Sequence, residues 1–346
     1  MVGSLGHVPI VPDNPSAHVG GMRDARAVTV EITQQIRPLT PDDVDAVVEL
    51  NLLCDIAETG TPDHEIAGWI RDSVGELVGF AIDDEHGLAA TCWLDTDHEG
   101  STGFEGDVRV RPGLDPALGD PLLAAIRREA AEREPAKPLH LFANVGADRV
   151  RAWIASRGGV ETRHFWRMEI DFDSSPATPL AAVPDDVVVR RLTDDEADLR
   201  AAFDIVDVAF LDHFGHEAGR TYEKWIAQLR RQSTFDPTLW WIAEVGSVPA
   251  AAQLGWILPE AEYGTCGHVG TLGTLAEFRG RGLGTLLLQI AFAEFRAQGQ
   301  RKATLGVDAA NPTGAVRLYE SVGMHAAHEW VMYALPPVRA IESVRT

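Results

Sequence analysis

The sequence has few cysteines, fewer basic than acidic residues and no long apolar run. Cys54, Cys92 and Cys266 are the only cysteines among 346 residues, and they include no Cys-x-x-Cys pair. Neither a disulfide framework nor a thiolate zinc site is predicted, and a reducing cytoplasm is the expected location. No apolar run approaches the roughly 20 residues that cross a bilayer, and no basic segment followed by an apolar one opens the chain. We expect neither export nor membrane insertion.

The charge balance excludes several classes of partner. Lys and Arg number 30 against 52 Asp and Glu, which gives a net charge of −22. This charge argues against nucleic acid or an anionic membrane as partner and leaves cationic small molecules open. With 45% hydrophobic residues the chain can build packed cores. Its length fits two domains of roughly 150 to 170 residues.

An internal repeat supports this division. Residues 36–43 resemble residues 189–196, and each segment is typical of a strand followed by a Thr cap and the acidic first turn of a helix. Further on, residues 110–112 match residues 274–276, and a Leu-Leu pair follows each at the same distance. A stretch rich in Ser, Pro and Asp between the copies is typical of a linker. We therefore predict a flexible tail over 1–28, a first domain over 29–173, a linker over 174–186 and a second domain over 187–346.

The second copy mixes strands and helices. Hydrophobic patterning predicts strands over 239–245, 250–258 and 268–275, with an acidic turn over 259–262. A helix over 282–297, a strand over 303–307, a short helix over 313–322 and a strand over 329–335 follow. The predicted class is α+β.

The segment between the third of these strands and the long helix is rich in arginine and glycine, and reads Arg279, Gly280, Arg281, Gly282, Leu283, Gly284, Thr285. Glycines there allow backbone N–H groups to converge at a helix N-terminus, where partial positive charge favours a pyrophosphate. The alternative is a tight turn with two solvated arginines. The segment is not a Walker loop, because no Lys-Ser or Lys-Thr follows, and its glycine spacing is not that of a Rossmann fold.

A second motif lies at residues 306–324. Asn311 can cap a helix that begins at Pro312, whose buried face would include Leu318 and Val322 and which Gly323 would end. Tyr319 stands four residues before that glycine.

These two motifs at this spacing resemble the GCN5-related N-acetyltransferase (GNAT) family, and the resemblance covers residues 187–335. It implies two tandem domains, each with a mixed, mostly antiparallel central sheet flanked by helices. It implies acetyl-coenzyme A as cosubstrate, and places Tyr319 beside the thioester sulfur, where a phenol can serve as general acid. It also implies that one strand diverges from its neighbour so that its main chain pairs with the pantetheine arm. The residues expected to bind the cosubstrate are Leu272, Gly273, Thr274, Arg279, Gly280, Arg281, Gly282, Leu283, Gly284, Thr285, Asn311 and Arg317.

The attacking amine must lose a proton, so a base or a water chain is needed. His268 is the first candidate, because an imidazole titrates near neutrality and the residue precedes the phosphate loop on the strand beside the cosubstrate. The alternative for His268 is a buried strand histidine. Glu244 is a second candidate, with an ordinary solvated strand carboxylate as its alternative.

The region over 210–225 is expected to cover the substrate, with His213, His216 and Trp225, together with Glu244, as candidate contacts. Two histidines three residues apart beside carboxylates could bind a metal. No third ligand motif is evident and a glycine interrupts the helix, so we expect no metal.

The first copy lacks the arginine, the glycines and the tyrosine that the second copy has in its two motifs. At the positions of Arg279, Gly282 and Gly284 it has Asp115, Leu118 and Asp120. Ile154 stands at the position of Tyr319. We expect a degenerate first domain that does not catalyse the reaction, packs on the second and helps to wall the substrate cleft.

The expected activity is transfer of acetyl from acetyl-coenzyme A to a primary amine of a small, cationic metabolite such as an amino sugar, aminoglycoside, polyamine or amino-acid derivative. Two alternatives remain: an acetyltransferase of the mycothiol synthase type, which acetylates a cysteinyl amine on an amino-sugar scaffold, and a noncatalytic acyl-coenzyme A binder. A monomer or homodimer is expected.

Overall fold

A computed structural model describes residues 36–63, 77–96, 102–175, 180–211, 220–260, 264–311 and 314–337, with single residues between 68 and 75. The predicted tail over 1–28 and part of the predicted linker lie outside these residues. We refer to residues 36–175 as the first half and to residues 180–337 as the second half. In the described part of the chain, no helix is long and apolar enough to cross a membrane.

Each half contributes six strands in the same order. The first half has β1 (Arg37–Pro38), β2 (Val78–Asp84), β3 (Gly87–Asp95), β4 (Phe104–Val110), β5 (Leu139–Asn144) and β6 (Val160–Asp171). The second half has β7 (Val187–Arg191), β8 (Trp241–Val245), β9 (Val248–Glu260), β10 (Gly264–Thr274), β11 (Lys302–Asp308) and β12 (His325–Leu335).

Seven α-helices of the described residues connect these strands. They are α1 (Val44–Thr59), α2 (Asp120–Arg133) and α3 (Asp148–Ser156) in the first half, and α4 (Glu196–Ala209), α5 (Tyr222–Arg231), α6 (Leu283–Ala297) and α7 (Ala315–Ser321) in the second. The expected mixed, mostly antiparallel sheet flanked by helices is confirmed.

All twelve strands form one sheet in the order β1-β2-β3-β4-β5-β12-β6-β11-β10-β9-β8-β7. The last strand of each half is exchanged: β12 pairs with β5 of the first half, and β6 pairs with β11 of the second. The two exchanged strands also pair with each other. Only β4 with β5 and β10 with β11 run parallel, and each parallel pair is joined by a helical crossover. The exchange places residues of the first half beside the C-terminal strands of the second.

Helix α6 begins where the sequence predicts. Its buried side recurs at helical spacing with Leu283, Leu287, Ala291 and Phe295. The helix ends before Gly299, whose φ of 80° suits the left-handed position after a helix.

The structure corrects two local predictions. The N-cap of α7 is Gly314, with φ 77°, so Asn311 does not cap this helix, which is shorter than predicted. Strand β8 begins at Trp241 because residues Pro237–Leu239 form a 3-10 turn, capped by the Asp236 carboxylate accepting from the Thr238 amide at 2.9 Å.

Candidate functional site

A cleft opens where β10 and β11 diverge. These parallel strands pair only at Gly267 with Ala303 and at His268 with Thr304. Beyond that point the residues from Leu272 to Thr274 pair with β9 alone. The divergence expected for this strand is therefore present, and it leaves one main-chain edge of β10 without a strand partner. A cavity of about 960 Å³ occupies the opening.

The glycine-rich segment forms part of the wall of this cavity. Gly280 and Gly282 both have φ 77°, and a Cβ built on either would meet no atom within 4 Å. Gly282 is the N-cap of α6, and no side chain of the described residues caps this helix. The first-turn N–H groups of a helix have no partner within it. Gly282, Leu283, Gly284 and Thr285 line the cavity, so these groups form a site suited to an anion.

The two arginines of this segment differ in position. Arg279 lines the cavity, and its guanidinium donates to the carbonyl oxygens of Thr274 at 3.1 Å and Ala209 at 3.4 Å. Arg281 is not on the cavity wall, because its guanidinium pairs with the Asp186 carboxylate at 2.8 Å. One of the two predicted cations therefore faces the opening. Arg317 is exposed and also lies off the wall.

Tyr319 lies on α7 and lines the cavity with only 8% of its surface exposed. Burial raises the pKa of its phenol to about 12. Within the described residues, the Tyr319 hydroxyl donates its proton to no acceptor. The side chain is thus a protonated phenol at neutral pH.

A turn over residues 308–311 forms the wall beside α7, and Asp308 organises it. The Asp308 carboxylate accepts from the Ala310 amide at 2.8 Å, and the Asn311 amide donates to the Asp308 carbonyl oxygen at 3.0 Å. Arg163 of the exchanged strand β6 donates to the same carboxylate at 2.5 Å. The first half therefore holds a turn of the second, and Asn311 lies on the cavity wall.

His268 is half-buried and is not part of the cavity wall. Its Nδ1 lies 2.9 Å from the Thr304 hydroxyl oxygen on β11, and its ring lies against Trp256. Glu244 is also outside the cavity, because its carboxylate accepts from Arg190 at 3.0 Å on the outer strands. Neither candidate base contacts the opening directly.

Trp225 is only 5% exposed and packs in an aromatic core against Phe203, Tyr222 and Trp240. The structure therefore places Trp225 in the interior, not on the substrate wall. His213 and His216 lie outside the described residues. Among the described residues, no three His, Cys, Asp or Glu side chains are grouped as metal ligands.

Several wall residues were not singled out from the sequence. Gly270 is the extra residue of a β-bulge, because Val269 pairs with Gly255 and Thr271 with Leu254. A Cβ at Gly270 would overlap the Trp256 ring, so glycine is required. A lone glycine within a strand pattern is the available signal for such a bulge. The exchanged strands add Arg163, Phe165, Trp166, Arg167 and Trp330. Their strand partners are set by tertiary structure, so sequence patterning gives no signal for them.

Known proteins show similarity across most of the chain. Residues 199–324 match the model of the acetyltransferase (GNAT) family. A mycothiol acetyltransferase from Thermobispora bispora is 31% identical over 66% of this chain and 75% of its own length. A second protein of that name, from Cellulomonas flavigena, is 28% identical over 82% of this chain and 78% of its own length.

Solved structures are similar in fold. A GCN5-related N-acetyltransferase from Sphaerobacter thermophilus has a TM-score of 0.72 at 24% identity, covering 88% of this chain and 95% of that one. A tandem GNAT protein from the clavulanic acid biosynthesis pathway has a TM-score of 0.67 at 17% identity, covering 89% and 99%. The chain belongs to the GNAT family and is an acyltransferase.

Proposed function

We propose that the second half transfers an acetyl group from acetyl-coenzyme A to a primary amine of a small molecule in this cavity. The observation that carries the proposal is the buried Tyr319 phenol on the wall of a cleft that also contains the uncapped, glycine-rich N-terminus of α6. The thioester of acetyl-coenzyme A supplies an activated acetyl group, and the phosphates of the same molecule need an anion site elsewhere in the cleft.

The lining residues fit this cosubstrate. The first-turn N–H groups of α6 and Arg279 would hold the pyrophosphate, where open space around Gly280 and Gly282 admits close approach to the backbone. The edge of β10 from Leu272 to Thr274 would pair with the pantetheine amides as an added strand does. Gly273 lies against Ala209 and Phe210, so this edge has a fixed position.

Two proton transfers accompany the reaction. As the amine nitrogen bonds to the carbonyl carbon and the carbon–sulfur bond breaks, Tyr319 donates its proton to the departing sulfur. The amine loses a proton, and His268, acting through a water, is our candidate acceptor. The pKa of about 12 keeps Tyr319 in the donor form over the working range.

For the acceptor we propose only a chemical class. The sequence suggested a cationic amine from the overall charge, but the described wall residues that are charged at neutral pH are Arg163, Arg167, Arg279 and Asp308. This local balance gives no support to a polycation. The relatives named mycothiol acetyltransferase favour a second, narrower candidate, an acceptor amine of the mycothiol type.

Release of free thiol from acetyl-coenzyme A in the presence of a panel of amines tests the proposal. We expect saturable, amine-dependent thiol release with an acetylated product of matching mass. Tight binding of acetyl-coenzyme A with no acetylated product from any amine would instead favour the noncatalytic binder.

A further inference from the structure

One part of the cavity lies over Gly306, at a position where the backbone conformation does not require glycine. Gly306 of β11 is exposed, lines the cavity and does not have a positive φ, so any residue could adopt its conformation. A Cβ built on it meets no atom within 4 Å. The missing side chain therefore leaves room for a ligand to approach the strand closely.

This open space lies on the face opposite Tyr319. Ile170 touches Gly323, just after α7, and pairs with Ala303. Ala303 therefore faces α7, whereas Gly306, an odd number of residues further along the strand, faces the other side of the sheet. An amine over Gly306 would approach the thioester from the side opposite the proton donor. Thr304 shares the face of Gly306 and is hydrogen-bonded to His268, so the candidate base lies on the same face of the sheet as the amine.

Arg167 of the first half forms the wall beside this space. It is the register partner of Gly306 on the exchanged strand β6, so both residues point to the same face. Its guanidinium lies 2.8 Å from the Asp63 carboxylate and 5.2 Å above the Trp330 ring. Only 12% of the side chain is exposed, and Arg167 lines the cavity. Its orientation is thus fixed before a ligand binds.

The chemistry of a guanidinium defines what it recognises. It has N–H donors and no acceptor, so it presents only donors to the cavity. Asp63 already pairs with this guanidinium, so a second anion there would face the Asp63 carboxylate at close range. An uncharged oxygen avoids this repulsion and still accepts a hydrogen bond.

We propose that the space over Gly306 is the acceptor subsite, and that Arg167 selects amines carrying an uncharged oxygen, a hydroxyl or an amide carbonyl, near the reacting nitrogen. This inference rests on the proposed acetyl transfer and names its acceptor class. The first half then contributes specificity through its exchanged strand, although its own cleft carries no catalytic tyrosine.

Matched amines test the selection. We expect kcat/KM for glucosamine over cyclohexylamine, and for alaninamide over isopropylamine, to favour the oxygen-bearing member by at least about tenfold, as a site built to hydrogen-bond an oxygen does. Arg167→Lys, which keeps the charge opposite Asp63, should reduce that ratio about threefold or more with an unchanged KM for acetyl-coenzyme A. Lys302→Met is the control, because Lys302 pairs with Glu169 at 3.2 Å on the same face without lining the cavity.

Gly306→Ala and Gly306→Val provide the second arm and do not disturb the buried pair. They should raise the acceptor KM in that order while the affinity for coenzyme A, measured by titration calorimetry, stays constant. Any of three results would overturn the subsite. These are a wild-type kcat/KM ratio between matched amines near one, a ratio that Arg167→Lys does not change, and an acceptor KM that Gly306→Val does not change. If the wild type acetylates no amine at all, the proposed function itself fails, and the subsite fails with it.

Discussion

Each half of the protein has a cleft between two diverging parallel strands, but the two clefts are filled differently. In the first half, β4 and β5 pair only from Phe104 to Gly106 before they separate. Arg109 occupies the penultimate position of β4, as Gly273 does in β10. The wide cleft of the second half thus corresponds to a place where the first half has a long charged side chain.

An ion cluster surrounds Arg109. Its guanidinium lies 2.6 Å from the Asp107 carboxylate and 3.5 Å from those of Asp55 and Glu58, and all four side chains are largely buried. Burial raises the pKa of Asp55 to about 6 and also raises that of Glu58. Internal charges thus surround Arg109, whereas in the second half Ala209 and Phe210 pack against Gly273 at the equivalent position.

The N-termini of α2 and α6 also differ, because only that of α2 carries a carboxylate. Asp120, at the start of α2, accepts from the Trp153 indole at 2.7 Å and from Arg157 at 2.6 Å, so it joins α2 to α3. Gly284, its counterpart, leaves the N-terminus of α6 without a carboxylate. The two halves therefore share one fold but differ at these positions: the first has charged side chains paired with each other, and the second has glycines on the wall of a cavity.

The largest expected effect comes from transferring this carboxylate to the second half. Gly284→Asp should reduce coenzyme A affinity by roughly 100-fold or more, because a charge about 4 Å from a phosphate costs several kcal/mol at intermediate dielectric. Titration calorimetry should give one coenzyme A per wild-type chain and none for the variant.

Gly284→Ala is the matched control. A Cβ there lies 3.1 Å from the end of the Leu318 side chain, which can move, so affinity should change only slightly. Two equivalent coenzyme A molecules per wild-type chain would contradict the distinction between the clefts.

Tyr319→Phe should lower kcat by about tenfold or more with little change in coenzyme A affinity, because the proton donor is lost and the ring remains. Steady-state kinetics and calorimetry measure the two quantities. Tyr222→Phe is the control: this tyrosine is also buried, but its hydroxyl donates to Glu196 at 3.0 Å away from the cavity. An unchanged kcat would reject Tyr319 as the acid.

Arg163→Gln tests whether the first half positions the turn over 308–311. We expect a roughly three- to tenfold rise in the KM for acetyl-coenzyme A, since the Asp308 carboxylate loses a charged donor. Asp308→Asn should have a similar effect, and the double variant should be no worse than the stronger single one. Arg301→Gln removes an exposed pair with Asp173 at the far end of the same two strands and should leave the KM unchanged. Full additivity would show that the pair does not act as a unit.

The smallest expected effect concerns the ion cluster of the first half. Since the folded-state pKa of Asp55 is about 6, against an ordinary value of 3.8 for the Asp carboxyl, the folded protein binds more protons than the unfolded chain between these values. This contribution to stability is complete below about pH 4 and is lost as the pH rises through about 6. Asp55→Asn should therefore flatten the dependence of Tm on pH over that window by a few degrees. Asp148→Asn, at a side chain 93% exposed, should not, and a wild-type Tm independent of pH there would contradict the assignment.

Much of the second half could be predicted from sequence because its signals are local. Apolar spacing predicted α6, and the glycines before it predicted a helix N-terminus there, which the structure has at Gly282. The divergence of β10 from β11 followed from the family resemblance. Candidates whose role depends on cross-strand neighbours fared differently: His268 and Trp225 are not on the cavity wall, because position within a strand or helix does not specify what packs against it. The assignment of cosubstrate contacts and of two domains stays a prediction.

The sequence by itself determined the repeat, the α+β class, the glycine-rich segment before α6 and the position of Tyr319, since each depends on residues close together in the chain. Only the tertiary structure decided that β6 and β12 change places and bring Arg163, Arg167 and Trp330 to the cavity. The two strands end equivalent repeats, so either could complete either half of the sheet. The choice between them depends on packing across the whole sheet, which no local pattern records.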